Sequence, residues 1–178
     1  MYIIAVVGGK RSGKTTAVEA LVKGLVKHGY KVATVKHVSQ KNFTIDTEGK
    51  DTWRHAKAGA TITTSVASHE MAIIRKEDTS NYKINDLIRT FRNEVDITIF
   101  EGFKKLVEQE ERIPKIVAVK NAKEASEAQK RFKLLLAFVG PFSTKRLNLS
   151  TPYIDIITSP EKLVQLVLDK FEASQKQE

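Results

Sequence analysis

Tyr2 to Val7 (YIIAVV) is an unbroken apolar, β-branched run, which predicts a strand buried on both faces. The period then changes. Val18, Leu21, Val22, Leu25 and Val26 form a helical stripe within Thr15 to His28, and Gly29 stops it. Lys31 to Val35 (KVATV) predicts a second strand, Asn42 to Lys50 is polar and irregular, and Asp51 to Ala58 reads as a short helix stopped by Gly59. Thr61 to Ala67 and Met71 to Arg75 read as two strands of a hairpin around Ser68-His69-Glu70. Further on, the pattern predicts a helix over Ile84 to Phe91 and strands over Asp96 to Phe100 (DITIF), Lys115 to Val119 (KIVAV) and Leu134 to Val139 (LLLAFV). A helix over Ala122 to Arg131 lies between the last two strands. Pro160 to Phe171 predicts the closing helix, with Ser159 as N-cap and the proline at its first position, and a frayed tail follows over about 173–178.

Strands alternating with helices predict an α/β fold. The expected architecture is a mostly parallel, doubly wound sheet with helices on both faces and a β-hairpin excursion around 61–75, in a single domain over 1–178. In such sheets ligands bind beyond the carboxyl ends of the strands. The stretch VVGGKRSGKTTA, Val6 to Ala17, lies there, directly after the first strand and opening the first helix. It contains G-x-x-x-x-G-K-T as Gly8, Gly13, Lys14 and Thr15, a complete P-loop (Walker A) motif in the context that motif requires. The chemistry explains the residue types. Gly8 and Gly13 let backbone approach phosphate without a Cβ, and the N–H groups of Gly9, Lys10, Arg11 and Ser12 converge on the anion with the positive end of the helix behind them. Lys14 supplies a point charge between the outer phosphates, the Thr15 hydroxyl suits Mg²⁺, and Thr16 is a further phosphate donor.

Mg²⁺ also calls for carboxylates. Glu101 ends the DITIF run and precedes Gly102, so it faces the same crevice. Asp46 opens Asp46-Thr47-Glu48-Gly49, a D-x-x-G turn of the form nucleotide switches use to sense a terminal phosphate. Lys14, Thr15, Asp46 and Glu101 are therefore the expected catalytic set, with Thr15, Asp46 and Glu101 around the metal.

These pieces together resemble the MobB family, molybdopterin-guanine dinucleotide biosynthesis protein B. The matching stretches are GGKRSGKTT, Lys36-His37, FTIDTEGKDTWR from Phe43 to Arg54, AGA at Ala58 to Ala60, DITIFEGFK from Asp96 to Lys104, and PKI at Pro114 to Ile116. Their order and rough spacing cover residues 1 to about 120. The resemblance implies a GTP-binding homodimer that uses Mg²⁺, hydrolyses GTP weakly, and assists the enzyme that attaches GMP to molybdopterin. Two other readings stand beside it: a P-loop kinase of a small molecule, and a nucleotide-dependent adapter whose hydrolysis is incidental. Many family members carry K-H-x-H-H where this chain has Lys36-His37-Val38-Ser39-Gln40. His37 is thus read as a strand-end hydrogen-bonding residue ahead of a metal ligand, and the four histidines show no ligand spacing. The guanine-reading N-K-x-D motif is missing from its usual form. Asn121, after KIVAV, either reads the base edge or caps the next helix. The preference for GTP over ATP is what the resemblance implies.

Composition narrows the partners. The net charge is +9, with basic residues dispersed and aromatics only 7% of the chain, so anionic ligands or acidic proteins fit better than nucleic acid. Lys50, Arg54 and Lys57 recur at helical spacing, either as a solvated face or as a docking surface, and Lys104 and Lys105 are expected to border the crevice. Cysteine does not occur, which excludes disulfides, thiolate metal sites and a Cys nucleophile. The apolar MYIIAVVGG run is too short to span a bilayer and carries no basic segment before it, so a soluble, cytoplasmic protein is expected.

Overall fold

The structure is a computed structural model that describes residues 1–89, 91–140 and 149–176. The chain divides into two compact units, Met1–His37 with Ile84–Glu178, and Val38–Lys83. The first contains β1 (Tyr2–Gly8), α1 (Lys14–Lys27) and β2 (Val32–Lys36) from its N-terminal part. The second contains α2 (Asp51–Lys57), β3 (Ile62–Val66) and β4 (Met71–Arg75). The first unit then continues with α3 (Ile84–Ile88), β5 (Ile97–Glu101), α4 (Lys104–Val107), β6 (Lys115–Ala118), α5 (Ala122–Arg131), β7 (Leu135–Gly140), β8 (Tyr153–Asp155) and α6 (Pro160–Gln175).

In the first unit the strands form one six-stranded sheet in the order β2-β5-β1-β6-β7-β8, and every pairing in it is parallel. The central position of β1 explains its sequence. Ile4 and Val6 point into one core with Leu21 and Leu25 of α1 and Leu163 and Val167 of α6. Ala5 and Val7 point into the other with Val107, Ala125, Ala128 and Phe132. A strand sandwiched this way has no polar face, so its apolar residues run without alternation. β5 and β6 split in the same manner, with Ile99 and Ile116 on the first side and Phe100 and Val117 on the second. Helices therefore cover both faces, as the alternating pattern predicts. Lys115, fully buried at the amino end of β6, donates its ammonium to the Glu110 carbonyl, and burial pulls its pKa below the ordinary lysine value.

In the second unit β3 and β4 pair antiparallel, with Val66 opposite Met71 and Ile62 opposite Arg75, which is the expected hairpin. Differences in the first unit concern short elements and ends. β8 and α4 are three and four residues long and carry no readable period. α3 stops at Ile88, short of the expected Phe91, and α6 runs past Phe171 to Gln175. Ser159 holds the N-cap position of α6, but its side chain makes no capping bond. Thr90 and the last two residues of the expected tail lie outside the described residues.

Gly24 explains how α1 and α6 pack. A Cβ built there would meet the Val164 methyls at 2.4 and 2.7 Å. Gly24→Ala adds helix propensity worth about 1 kcal/mol, but forcing a methyl into a closed contact costs about 1–3 kcal/mol. Overpacking is expected to win, lowering the midpoint of thermal unfolding by a few degrees. A midpoint that rises would mean that the two helices part freely at this point.

Candidate functional site

The loop between β1 and α1 is shaped by what surrounds it. Gly8 has φ +152°, and a Cβ there would lie 2.3 Å from the Ala118 carbonyl oxygen and 2.6 Å from Ser12 Oγ. Only glycine fits so close to the neighbouring strand. Arg11 is left-handed at φ 58°, and Gly13, the N-cap of α1, has φ 93°. Buried Ser12 donates its hydroxyl to the Gly9 carbonyl at 2.9 Å, tying the loop across itself. Lys14 reaches back over the loop and donates to the same carbonyl at 2.6 Å. No acidic residue occupies the first turn of α1. Lys10, Arg11, Thr15 and Thr16 are exposed around it.

Glu101 ends β5 beside this loop. Register places it opposite Val6 of β1 on one side and Lys36 of β2 on the other. It is only 8% exposed. Its Oε1 accepts from Thr15 Oγ1 at 2.9 Å and from Lys36 Nζ at 3.0 Å, and its Oε2 accepts from the same ammonium at 3.1 Å. Burial lowers the Lys14 pKa below the ordinary lysine value; Glu101 opposes that shift, while Lys36 and Lys120 add to it. The crevice thus gathers one carboxylate and three ammonium groups.

The turn after β5 accounts for the E-G-F sequence. Gly102 (φ 91°) and Phe103 (φ 51°) are consecutive left-handed residues. A Cβ on Gly102 would sit 3.1 Å from that of His37. The Phe103 ring stands edge-on to His37 at 5.2 Å and to Phe100 at 5.3 Å. His37 also donates its backbone N–H to the Glu101 carbonyl at 2.9 Å, a strand-end hydrogen bond. Lys104 leans toward the Phe132 ring, 5.9 Å from its centroid.

Of the two roles open to Asn121, the structure displays capping. Its side chain accepts from Glu124 N at 3.0 Å, capping α5, and Glu124 Oε2 accepts from Lys120 N, the residue before the cap, at 2.8 Å.

Asp46 belongs to the second unit. Its Oδ1 accepts from Thr47 N at 2.9 Å and Thr52 Oγ1 at 2.8 Å, bracing the D-T-E-G turn against the start of α2. Its Oδ2 is buried with no hydrogen-bond partner among the described residues. In α2, Arg54 lies 3.8 Å from Asp51 and Lys57 sits 5.2 Å over the Trp53 ring, while none of its residues is buried.

The donor set suits Mg²⁺. Thr15 and Glu101 bring hard oxygens together. No cluster of three His, Asp or Glu among the described residues is arranged to hold a metal by itself, so such a cation would lean on hydroxyl, water and phosphate oxygens. Lys36, which the sequence marks only as half of a K-H pair, is the residue its reading missed. Its position at the carboxyl end of a strand, like that of Glu101, is the signal.

A glycine loop with G-K-T between the first strand and first helix of a parallel, doubly wound sheet defines an α/β fold of the P-loop NTPase type. The family model described as molybdopterin guanine dinucleotide synthesis protein B matches residues 3–140, and the chain belongs to that family, MobB. It is 34% identical over 116 residues to the molybdopterin-guanine dinucleotide biosynthesis adapter protein of Haemophilus influenzae, covering 65% of this chain and 61% of that one. It is 33% identical over 122 residues to the putative adapter protein of Methanocaldococcus jannaschii, covering 68% of this chain. The chain thus spans 61% and 48% of the lengths of these two relatives. In fold it is similar to the crystal structure of Bacillus subtilis MobB, with TM-score 0.75 at 24% identity over 95% of this chain and 97% of the other. The MobB homologue from Bacillus stearothermophilus aligns with TM-score 0.71 at 21% identity, over 97% and 99% of the two chains. No helix among the described residues is long and apolar enough to cross a membrane.

Proposed function

We propose that this chain binds GTP with Mg²⁺ in the crevice at the carboxyl ends of β1 and β5, hydrolyses it slowly, and acts as a cytoplasmic adapter for attachment of GMP to molybdopterin. The observation that carries this reading is the Thr15–Glu101 hydrogen bond at 2.9 Å directly beneath the glycine loop. It sets a metal-suited hydroxyl and carboxylate next to an anion-suited cradle. The guanine dinucleotide in the family's description supports GTP over ATP. Gly8 to Thr16 would hold the phosphates, with Lys14 between the outer two, and the Asn121 region would border the base. Thr15 and Glu101 would hold Mg²⁺, whose charge would offset that of the phosphate oxygens, and a role for Asp46 is left to its substitution. Glu101 would be committed to the cation, which leaves it poorly placed to orient water, and slow turnover would follow.

The adapter part rests on the relatives' names and on the second unit's surface. α2 and its N-cap carry Lys50, Arg54 and Lys57, with no buried residue in the helix, a face suited to an acidic protein. The hairpin exposes Ile62, Val66, Met71 and Ile73. A two-stranded ribbon is marginal alone, which favours association, including a homodimer.

Glu101→Gln and Asp46→Asn keep shape and remove the negative charge that a hard cation needs. Each is expected to raise the Mg²⁺ concentration required for nucleotide binding by about tenfold or more. An effect confined to Glu101→Gln would make Asp46 a turn residue only. The function itself is tested by single-turnover GTP hydrolysis with and without the GMP-transferring enzyme and molybdopterin, alongside direct binding to that enzyme. Expected are slow hydrolysis by the chain alone and enzyme binding that strengthens with GTP and Mg²⁺. Reversing Lys50, Arg54 and Lys57 to Glu should weaken that binding. Salt-resistant binding to DNA or RNA, with none to the enzyme, would overturn the reading.

A further inference from the structure

Lys36 and Glu101 are direct partners in the parallel ladder between β2 and β5, so the sheet itself sets their side chains together at the strand ends. The two are not equally committed. Glu101 is nearly buried, with its side chain 10% exposed, whereas that of Lys36 is 57% exposed. The ammonium bridges both carboxylate oxygens, at 3.0 and 3.1 Å. The ladder and the His37 N–H to Glu101 carbonyl bond already hold β2 on β5, so the ion pair is not needed to dock the strands. What the pair does is neutralise a buried carboxylate, which is costly to leave uncompensated.

We propose that Lys36 is a stored phosphate ligand: it compensates Glu101 in the nucleotide-free protein, and on uptake of nucleotide with a divalent cation it gives up Glu101 and turns its charge to the terminal phosphate. The inference rests on the nucleotide reading above. Any cation that takes a Glu101 oxygen meets the Lys36 ammonium there, and the two like charges exclude one another. Release is easy for Lys36 because its stem is long, flexible and exposed. The charge balance gives the direction of movement. Lys14 experiences both Lys36 and Lys120 as repelling charges and Glu101 as an attracting one. With Glu101 satisfied by a cation, Lys36 becomes an unpaired charge beside the phosphate-suited loop.

The test uses fluorescent GTP and GDP analogues titrated at varied Mg²⁺, with Lys36→Met, which keeps chain length and removes charge. The Mg²⁺ concentration for half-maximal binding should fall about fivefold or more, because the competitor for Glu101 is gone. The preference for triphosphate over diphosphate should fall about tenfold. In a Glu101→Gln background the same substitution should leave the Mg²⁺ midpoint unmoved, since the shared group is absent. Mn²⁺ binding without nucleotide, read by water-proton relaxation, should tighten in Lys36→Met. Lys36→Gln serves as the second variant should Lys36→Met fail to reach a native far-UV circular dichroism spectrum. A Mg²⁺ midpoint that stays or rises, or an undiminished triphosphate preference, overturns the proposal. If the wild-type chain binds neither analogue, the nucleotide reading fails, and unchanged Mn²⁺ binding separately dismisses competition at Glu101.

Discussion

Lys14→Ala is expected to weaken GTP binding by about tenfold to a hundredfold, the range for losing a hydrogen bond to a charged group. Lys14 already arches over the loop to the Gly9 carbonyl, so its ammonium is positioned where the loop's N–H groups would converge on phosphate. It is half-buried and packs into neither core, so the fold should survive the truncation. Isothermal titration calorimetry with GTP and Mg²⁺ reads the difference, and equal affinities would remove the loop from the function. Alkaline pH provides a second readout. Burial lowers the Lys14 pKa, so its charge is lost at lower pH than for an ordinary lysine. Affinity should therefore decline as pH rises toward the usual lysine range, and Lys14→Ala should abolish that part of the profile.

Gly8→Ala should be the most damaging small substitution in the loop. Its Cβ would sit 2.3 Å from a backbone oxygen of β6, and a backbone oxygen in a paired strand cannot step aside. Overpacking and the unfavourable φ each cost about 1–3 kcal/mol, so a loss of roughly 3 kcal/mol or more is expected. Gly9→Ala is the control: its added Cβ would have no neighbour within 4 Å. Gly13→Ala should fall between, because φ +93° is strained although space is open. Urea unfolding midpoints of the three variants test this order. A Gly8→Ala midpoint matching Gly9→Ala would mean that the loop does not hold its close approach to Ala118.

β1, the loop and α1 are legible from sequence because their determinants are local: an apolar run, glycines of fixed spacing, then a stripe at helical period. The hairpin is legible for the same reason, its strands being adjacent in sequence. β8 and α4 are not, because three or four residues carry too little pattern, and β8 exists only by pairing with β7. Asn121 shows a choice that local sequence leaves open. Both roles need the same residue after a strand, and the cap is recognised only once Glu124 is seen to answer it.

By itself, then, the sequence determined the α/β class, the anion-suited loop and the candidate carboxylates, since these follow from hydrophobic period and from chemistry at one position. The order β2-β5-β1-β6-β7-β8 was decided by tertiary structure, because strand neighbours separated by long stretches of chain are selected by how the helices bury both faces. The same order put Glu101 between Thr15, 86 residues away, and Lys36, 65 residues away. No spacing rule reaches that far along the chain. A buried carboxylate at a strand end takes its partners from the neighbouring strand and from the helix that follows one, and only the folded sheet says which those are.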